Sequence, residues 1–231
     1  MASIDMHHGQ APDLTIALPK GRLTSEAVAL LGQVGLDASA AVGASRDLVT
    51  LDHGAGVRFL LAKPFDVPTF VAAGAADLGI VGKDVLMEVE PAVVELLDLG
   101  IGRCRMQVAV PEGSGVRGVE EMEAPVRVAT RYPRATLAYF QSVGLPAQVV
   151  RLDGSIELAP RVGLADAIVD LVQTGRTLEA NGLVAISTIA EISGRLIANP
   201  VRWKLKYDRI ARLISEMRGL VPVRPVRGRE G

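Results

Sequence analysis

Between Ala167 and Gly182 the chain reads AIVDLVQTGRTLEANG. The apolar run through Val172 is a buried strand, and Thr174-Gly175-Arg176-Thr177 is a compact turn into the start of a helix. Such a turn offers unpaired backbone N–H groups and two threonine hydroxyls in front of a helix dipole, a combination that suits a phosphate. Gly175 lets the backbone approach the anion closely. Asp170, still on the strand, is placed where its carboxylate could accept hydrogen bonds from ribose hydroxyls beside that phosphate. As a bare tetrapeptide, Thr-Gly-x-Thr is more often an ordinary helix cap.

Lys20 and Arg22 follow the strand candidate LTIAL, at the C-terminal end where open α/β sheets bind ligands. Taken alone, both read as cations of a solvated loop. Lys63 also follows a strand directly and precedes a Pro turn. Asp66 reads as a cap for the next helix. Asp77 and Asp84, in ADLGIVGKD, are ambiguous between capping and ligand contact, although Gly82 permits a ligand to come close. His7, His8 and His53 lack the spacing of metal ligands. A single cysteine, Cys104, excludes an intramolecular disulfide and a cysteine-rich zinc site, and it reads as a small semi-buried hydrophobe.

The elements that must position these residues alternate. LTIAL, VRFLLA and LGIV are strands, with helices after the first near Ala27 to Val34, after the second through Val71, and after the third near Val85. In this reading Thr24 caps the first helix. MQVAVP is a long crossing strand that opens a second lobe near Arg105. VRVAT, AQVVRL and AIVDLV are its further strands, a helix spans Ala135 to Val143, and LVAIS onward to Ile192 runs back towards the first lobe. One last helix over about Val201 to Met217 places Trp203, Tyr207, Ile210, Ile214 and Met217 on one stripe. This grammar predicts a largely parallel α/β architecture, with 1–104 plus 195–231 as the first lobe and 105–194 as the second.

A chain that is 49% hydrophobic yet only 3% aromatic builds its core from Val, Leu, Ile and Ala, as sheets covered by helices do. No apolar run is long enough for a membrane span and the start MASIDMHHGQAPD lacks a signal-peptide core, so the expectation is a cytoplasmic protein without a membrane partner. From Val201 to Gly231 there are nine Lys/Arg and three Asp/Glu, which makes that stretch +6 and the remainder −7. A basic tail can serve nucleic acid, but it holds few aromatic residues for base stacking and reads mainly as a solvated helix face.

The apolar strand, its acid and the Thr-Gly-x-Thr turn resemble the phosphoribosyl pyrophosphate loop of phosphoribosyltransferases, with Val169 standing where many of those enzymes have a further acid. DGSIELAPRVGLADAIVDLVQTGRTLEANGL as a whole looks like the signature region of the ATP phosphoribosyltransferase family. The resemblance continues at LPKGRL, at LLAKPFDVPTFVAAGAADLGIVGKDVL and at LDLGIGRCRMQVAVP, in the order and approximate spacing of that family, from Leu14 to about Asn199.

What the resemblance implies is a two-lobed, periplasmic-binding-protein-like (type II) α/β fold with mainly parallel sheets and both substrates in the cleft between lobes. The activity would be transfer of the phosphoribosyl group to ATP, the first step of histidine biosynthesis, with Mg2+ as cofactor. Arg22 and Lys63 would act electrostatically, Lys63 standing where family members often carry Arg. Lys20 would meet a pyrophosphate or triphosphate. Thr174, Gly175, Arg176, Thr177 and Asp170 would hold the phosphorylated sugar, with Gly82 and Asp84 as further substrate contacts and Glu157 and Asp166 as candidates for magnesium or ribose. Tyr132 could stack on adenine or simply pack. The chain length matches the short class of the family, whose members associate with a histidyl-tRNA-synthetase-like regulatory subunit, implying a homodimer within a hetero-oligomer. A solute-binding or effector-sensing module of the same fold is the competing reading, since fold does not fix function.

Overall fold

The computed structural model describes residues 12–42 and 47–220. His7, His8 and the end of the basic tail lie outside these. One sheet has six strands: β1 (Leu14–Pro19), β2 (Val49–Asp52), β3 (Val57–Ala62), β4 (Leu78–Gly82), β5 (Val94–Asp98) and β11 (Gly194–Ala198), in the spatial order β2-β3-β1-β4-β11-β5. The other has five: β6 (Cys104–Pro111), β7 (Val126–Thr130), β8 (Ala147–Arg151), β9 (Ala167–Val172) and β10 (Leu183–Ile192), in the order β10-β6-β9-β7-β8. Helices are α1 (Thr24–Gln33), α2 (Val67–Ala72), α3 (Lys83–Val89), α4 (Pro133–Ser142), α5 (Leu158–Arg161), α6 (Arg176–Ala180), α7 (Pro200–Leu205) and α8 (Tyr207–Leu220).

The chain forms two compact units, one from residues within 1–80, 92–97 and 196–231, the other from 81–91 and 98–195. Compared with lobes bounded at 104/105 and 194/195, residues 98–104 and Arg195 also fall in the second unit, and α3 groups with it. The reason is local: Glu88 on α3 accepts hydrogen bonds from the N–H groups of Arg134 (3.2 Å) and Ala135 (3.1 Å), and so caps α4. An Arg134–Glu90 ion pair lies beside it.

In the first unit, β1 is buried at all six residues, as expected of an uninterrupted apolar strand covered on both faces. It pairs in parallel with β3, from Leu14↔Val57 to Pro19↔Ala62, and with β4. The edge strand β2, which pattern reading misses, runs antiparallel to β3; its Val49 and Leu51 are exposed, so no buried alternation marks it. Thr24 does not cap α1. It is the first residue of that helix, and its hydroxyl donates instead to the Pro19 and Gly21 carbonyls at 2.6 and 2.8 Å, tying down the Lys20–Arg22 turn. Asp66 occupies the N-cap position of α2 but makes no side-chain cap. The single C-terminal helix of the sequence reading is broken at Lys206 into α7 and α8. Ile210, Ile214 and Met217 are buried as the stripe requires, while Tyr207 is exposed and packs on Trp203 with ring centroids 5.1 Å apart.

The second unit has parallel pairs β7–β8 and β7–β9 but antiparallel pairs β6–β9 and β6–β10, so its sheet is mixed rather than mainly parallel. β6 and β10 are long strands that enter and leave the unit in opposite directions. Ile156, Ala159 and Leu178 join Ala109, Ala129, Ile168 and Val172 in one core cluster. That packing clamps α5 and α6, and the loops in front of them, to the sheet.

Asp77 settles into a structural role. It is 4% exposed, its carboxylate accepts from the Thr15 N–H at 2.7 Å and from Lys206 Nζ at 2.8 Å, and its backbone carbonyl accepts from the Asn199 N–H. Asp77→Ala leaves a buried N–H and an ammonium without their acceptor, and should cost about 2–3 kcal/mol; urea unfolding followed by circular dichroism is the measurement, and an unchanged midpoint contradicts this role.

Candidate active site

Parallel strands β7, β8 and β9 end at one edge of the second unit, where Thr130 is registered opposite Arg151 and Val169. Thr130, fully buried, joins the ends of β7 and β8 to the middle of β9. Its hydroxyl donates to the Val169 carbonyl at 2.8 Å and accepts from the Tyr132 N–H at 2.9 Å, and its carbonyl accepts from the Leu152 N–H at 3.0 Å. Past that edge lie Arg131–Tyr132, the loop from Leu152 to Glu157, and the Thr174–Thr177 turn.

Thr174, Arg176 and Thr177 are exposed, so the two hydroxyls face outward from the core. Gly175 is the N-cap of α6 with φ +85°, a left-handed conformation in which any side chain would be strained. One residue of α6, Leu178, is buried and anchors the turn. Asp170 is half-buried two residues before the end of β9, and Oδ1 accepts from the Leu171 N–H at 2.8 Å. Burial raises its carboxyl above the ordinary range, and the negative charges of Glu157 and Asp84 add to that; the Leu171 N–H and Arg131 oppose it.

Asp84, 8% exposed, accepts a hydrogen bond of 3.0 Å from the hydroxyl of Tyr132, which is 4% exposed. Burial first, then the charge and hydrogen bond of Asp84, push the Tyr132 phenol upward, so it remains a donor. Tyr132 was ambiguous between stacking and packing in the sequence. Its position immediately before Pro133, the first residue of α4, is the one available signal that its backbone is fixed. Gly82 precedes α3, and a Cβ there would lie 2.0 Å from Asp84 Oδ1, so its missing side chain leaves room for the carboxylate rather than for a ligand backbone. Glu157, half-buried, leads into α5 without capping it.

Asp166 is not brought to this edge. It lies before β9 begins, where it accepts from the Arg127 N–H at 2.8 Å and pairs with the Arg127 guanidinium at 2.6 and 3.2 Å. Six strand residues separate it from the end of β9, roughly 20 Å. Its carboxyl is held below the usual range chiefly by the Arg127 side chain, despite some burial.

In the first unit, Lys20 and Lys63 each follow a strand whose last residues, Pro19 and Ala62, are registered partners. Both lysines, and Arg22, are exposed, and the Lys20 N–H donates to the Ala62 carbonyl at 2.8 Å. Three cations thus share the C-terminal edge of β1 and β3. Among the described residues no group of three or more His, Cys, Asp or Glu side chains is arranged to hold a metal, and no helix is long and apolar enough to cross a membrane.

A sulfonate-binding protein from Methylobacillus flagellatus superposes with a TM-score of 0.62 at 16% identity, covering 89% of this chain and 67% of that one, which defines the architecture as a periplasmic-binding-protein-like (type II) α/β fold. A solved ATP phosphoribosyl transferase (HisG:HisZ) complex from Thermotoga maritima is nearer, with a TM-score of 0.75 and 33% identity over 90% of this chain and 98% of that one. The ATP phosphoribosyltransferase of Geobacillus kaustophilus is 49% identical over 209 residues, 90% of this chain and 99% of that protein. Residues 63–219 match the family model described as HisG: ATP phosphoribosyltransferase, and the chain belongs to that family.

Because the Asp166–Arg127 pair is exposed, it contributes little to stability. Asp166→Asn is expected to lower the melting temperature by no more than a few degrees at neutral pH and to leave turnover intact. The difference from the parent should vanish as pH falls through the lowered folded-state pKa of Asp166, where its stabilising charge is lost; thermal melts from neutral to acid pH check this, and a loss of turnover would return Asp166 to the site.

Proposed function

We propose that the chain performs its family's reaction by holding phosphoribosyl pyrophosphate on the edge formed by β7, β8 and β9. The observation that carries this is the exposed Thr174–Thr177 turn, anchored by Leu178 and beginning four residues after the half-buried Asp170. Backbone N–H groups and the threonine hydroxyls of that turn suit the 5′ phosphate, with Arg176 adding charge. Asp170 suits a ribose hydroxyl.

The reaction joins N1 of the adenine of ATP to the anomeric carbon of the sugar, with inversion. The bond from that carbon to the pyrophosphate oxygen breaks, and pyrophosphate leaves with its electron pair. Adenine N1 is a weak nucleophile, so the rate comes from in-line positioning and from neutralising the departing charge. Arg22 and Lys63 supply positive charge to the phosphates, and Lys20 binds them. Thr24 holds the Lys20–Arg22 turn in a fixed shape, so those cations start partly preorganised.

Magnesium fits this donor set as an ion carried by substrate phosphates with one or two carboxylates assisting, which needs no cage of three protein ligands. Asp170 and Glu157, whose charges already repel at this edge, are the residues that would hold it. When bound, the ion supplies further stabilisation of the leaving pyrophosphate. The same reading makes the chain a cytoplasmic, short-form catalytic subunit. It would form a homodimer and join a histidyl-tRNA-synthetase-like regulatory subunit; support comes from its likeness to a chain of the Thermotoga maritima ATP phosphoribosyl transferase (HisG:HisZ) complex.

Pyrophosphate release from ATP and phosphoribosyl pyrophosphate with magnesium is the direct assay, and Arg22→Ala should lower turnover by orders of magnitude while the melting temperature holds; unchanged kinetics would refute its role. The raised carboxyl of Asp170 adds a pH signature. Affinity for the sugar should weaken as pH falls through that raised value, because the protonated group loses acceptor strength. Asp170→Asn should bind weakly and flatten this acid limb, and an acid limb that survives the substitution assigns it to another group.

A further inference from the structure

Asp170 lies on the face of the second sheet that α5 and α6 pack against. Its neighbours along β9 on that face, Ile168 and Val172, join Ala109, Ile156 and Leu178 in the core cluster. Gln107 of β6 enters the same apolar face. It is registered opposite Asp170 on one side and opposite Thr188 of β10 on the other, so the three side chains form a row across β9, β6 and β10. We propose that Gln107 is a specificity-determining residue for the sugar, its amide oxygen accepting from one of the two neighbouring ring hydroxyls while Asp170 accepts from the other. The inference rests on the reading of the β7–β8–β9 edge as the phosphoribosyl pyrophosphate site.

Gln107 is 7% exposed, and an amide in such a place is unfavourable unless its polar atoms are served. Only one end is. Nε2 donates to the Thr188 hydroxyl at 3.0 Å, whereas Oε1, which is not sealed from solvent, has no partner among the described residues. With the nitrogen committed to β10, the oxygen is the end left for a ligand. Thr188 is itself held. β10 shifts register between Ala185 and Ser187 and again between Thr188 and Ala190, and such irregularities re-aim the side chains between them. Ser187 shares a 2.6 Å hydrogen bond with the Tyr139 hydroxyl of α4, so the short segment carrying Thr188 is anchored on both faces. Asp170 is in a matching state: the Leu171 N–H occupies Oδ1, and Oδ2 has no hydrogen-bond partner among the described residues. Registered side chains have Cβ atoms roughly 5 Å apart, so the two open acceptors are close enough to serve adjacent hydroxyls of one ring. β9 supplies no second acceptor on this face, because Val169 and Leu171 alternate to the other. A neutral amide also adds an acceptor without adding to the negative charge that Glu157 and Asp84 already direct at Asp170.

A tethered acceptor of this kind discriminates against a ligand that lacks the hydroxyl it serves, because its oxygen is then left without a partner. The test is calorimetric titration of the purified chain with phosphoribosyl pyrophosphate and with its 2-deoxy and 3-deoxy counterparts. Gln107→Met keeps the length of the side chain and removes the amide, and its melting temperature serves as the fold control. It is expected to weaken binding of the full substrate about tenfold, but to weaken one of the two deoxy ligands by less than about twofold. Thr188→Val leaves Gln107 in place and frees its amide; it should show the same selective pattern with a smaller loss, and it carries the test should Gln107→Met not fold. Equal losses for all three ligands, or no loss at all, overturn the proposal. Asp170→Asn separates the two levels: if it weakens the full substrate while the Gln107 and Thr188 variants do not, this inference alone fails. If Asp170→Asn is also without effect, the reading of the edge itself falls.

Discussion

Strands covered on both faces carry polar side chains only where each finds a partner, because an unpartnered polar atom placed there costs more than the strand's packing returns. Chemistry is thereby confined to the places where such strands stop. In the second unit the stopping point is set by one buried hydroxyl. Thr130 bonds the Val169 carbonyl and the Tyr132 N–H, and its own carbonyl receives the Leu152 N–H, so the ends of β7 and β8 are fixed against β9 at a single residue. The acid of β9, the phenol before α4 and the loop before α5 all take their positions from that bond set.

Acids gather around Asp170 at this edge. Asp170 is pushed up by burial and by two more acids, while Tyr132 is kept protonated by burial and by Asp84. One cation, Arg131, opposes the accumulated charge. The first unit is the opposite case, with Lys20, Arg22 and Lys63 exposed at the ends of β1 and β3.

The strands that carry chemistry were legible because each is a short, mostly apolar run: β1, β3, β7 and β9 fall within a residue or two of the sequence reading. So was the Thr174–Thr177 turn, since glycine between two threonines after an apolar strand has few other uses. The Asp166–Arg127 pair was not legible, because an acid just before a strand carries no mark of an arginine on the neighbouring strand 39 residues away in sequence. Asp77 was hidden for the same reason, its ammonium partner lying 129 residues on. The capping of α4 by Glu88 moved α3 into the second unit, and no local pattern marks a cap donated by another helix.

β11 fills an inner place in the first sheet, between β4 and β5, yet it is made of Gly194–Ala198. The sheet cannot close until that segment has been synthesised, and Asp77 has no ammonium until Lys206 follows. All of the second unit, by contrast, lies before residue 196. During synthesis the internal unit can therefore reach its native packing first, while β1, β3 and β4 wait with an unfilled edge. The nascent chain's exposure to misassembly is concentrated in its earliest strands.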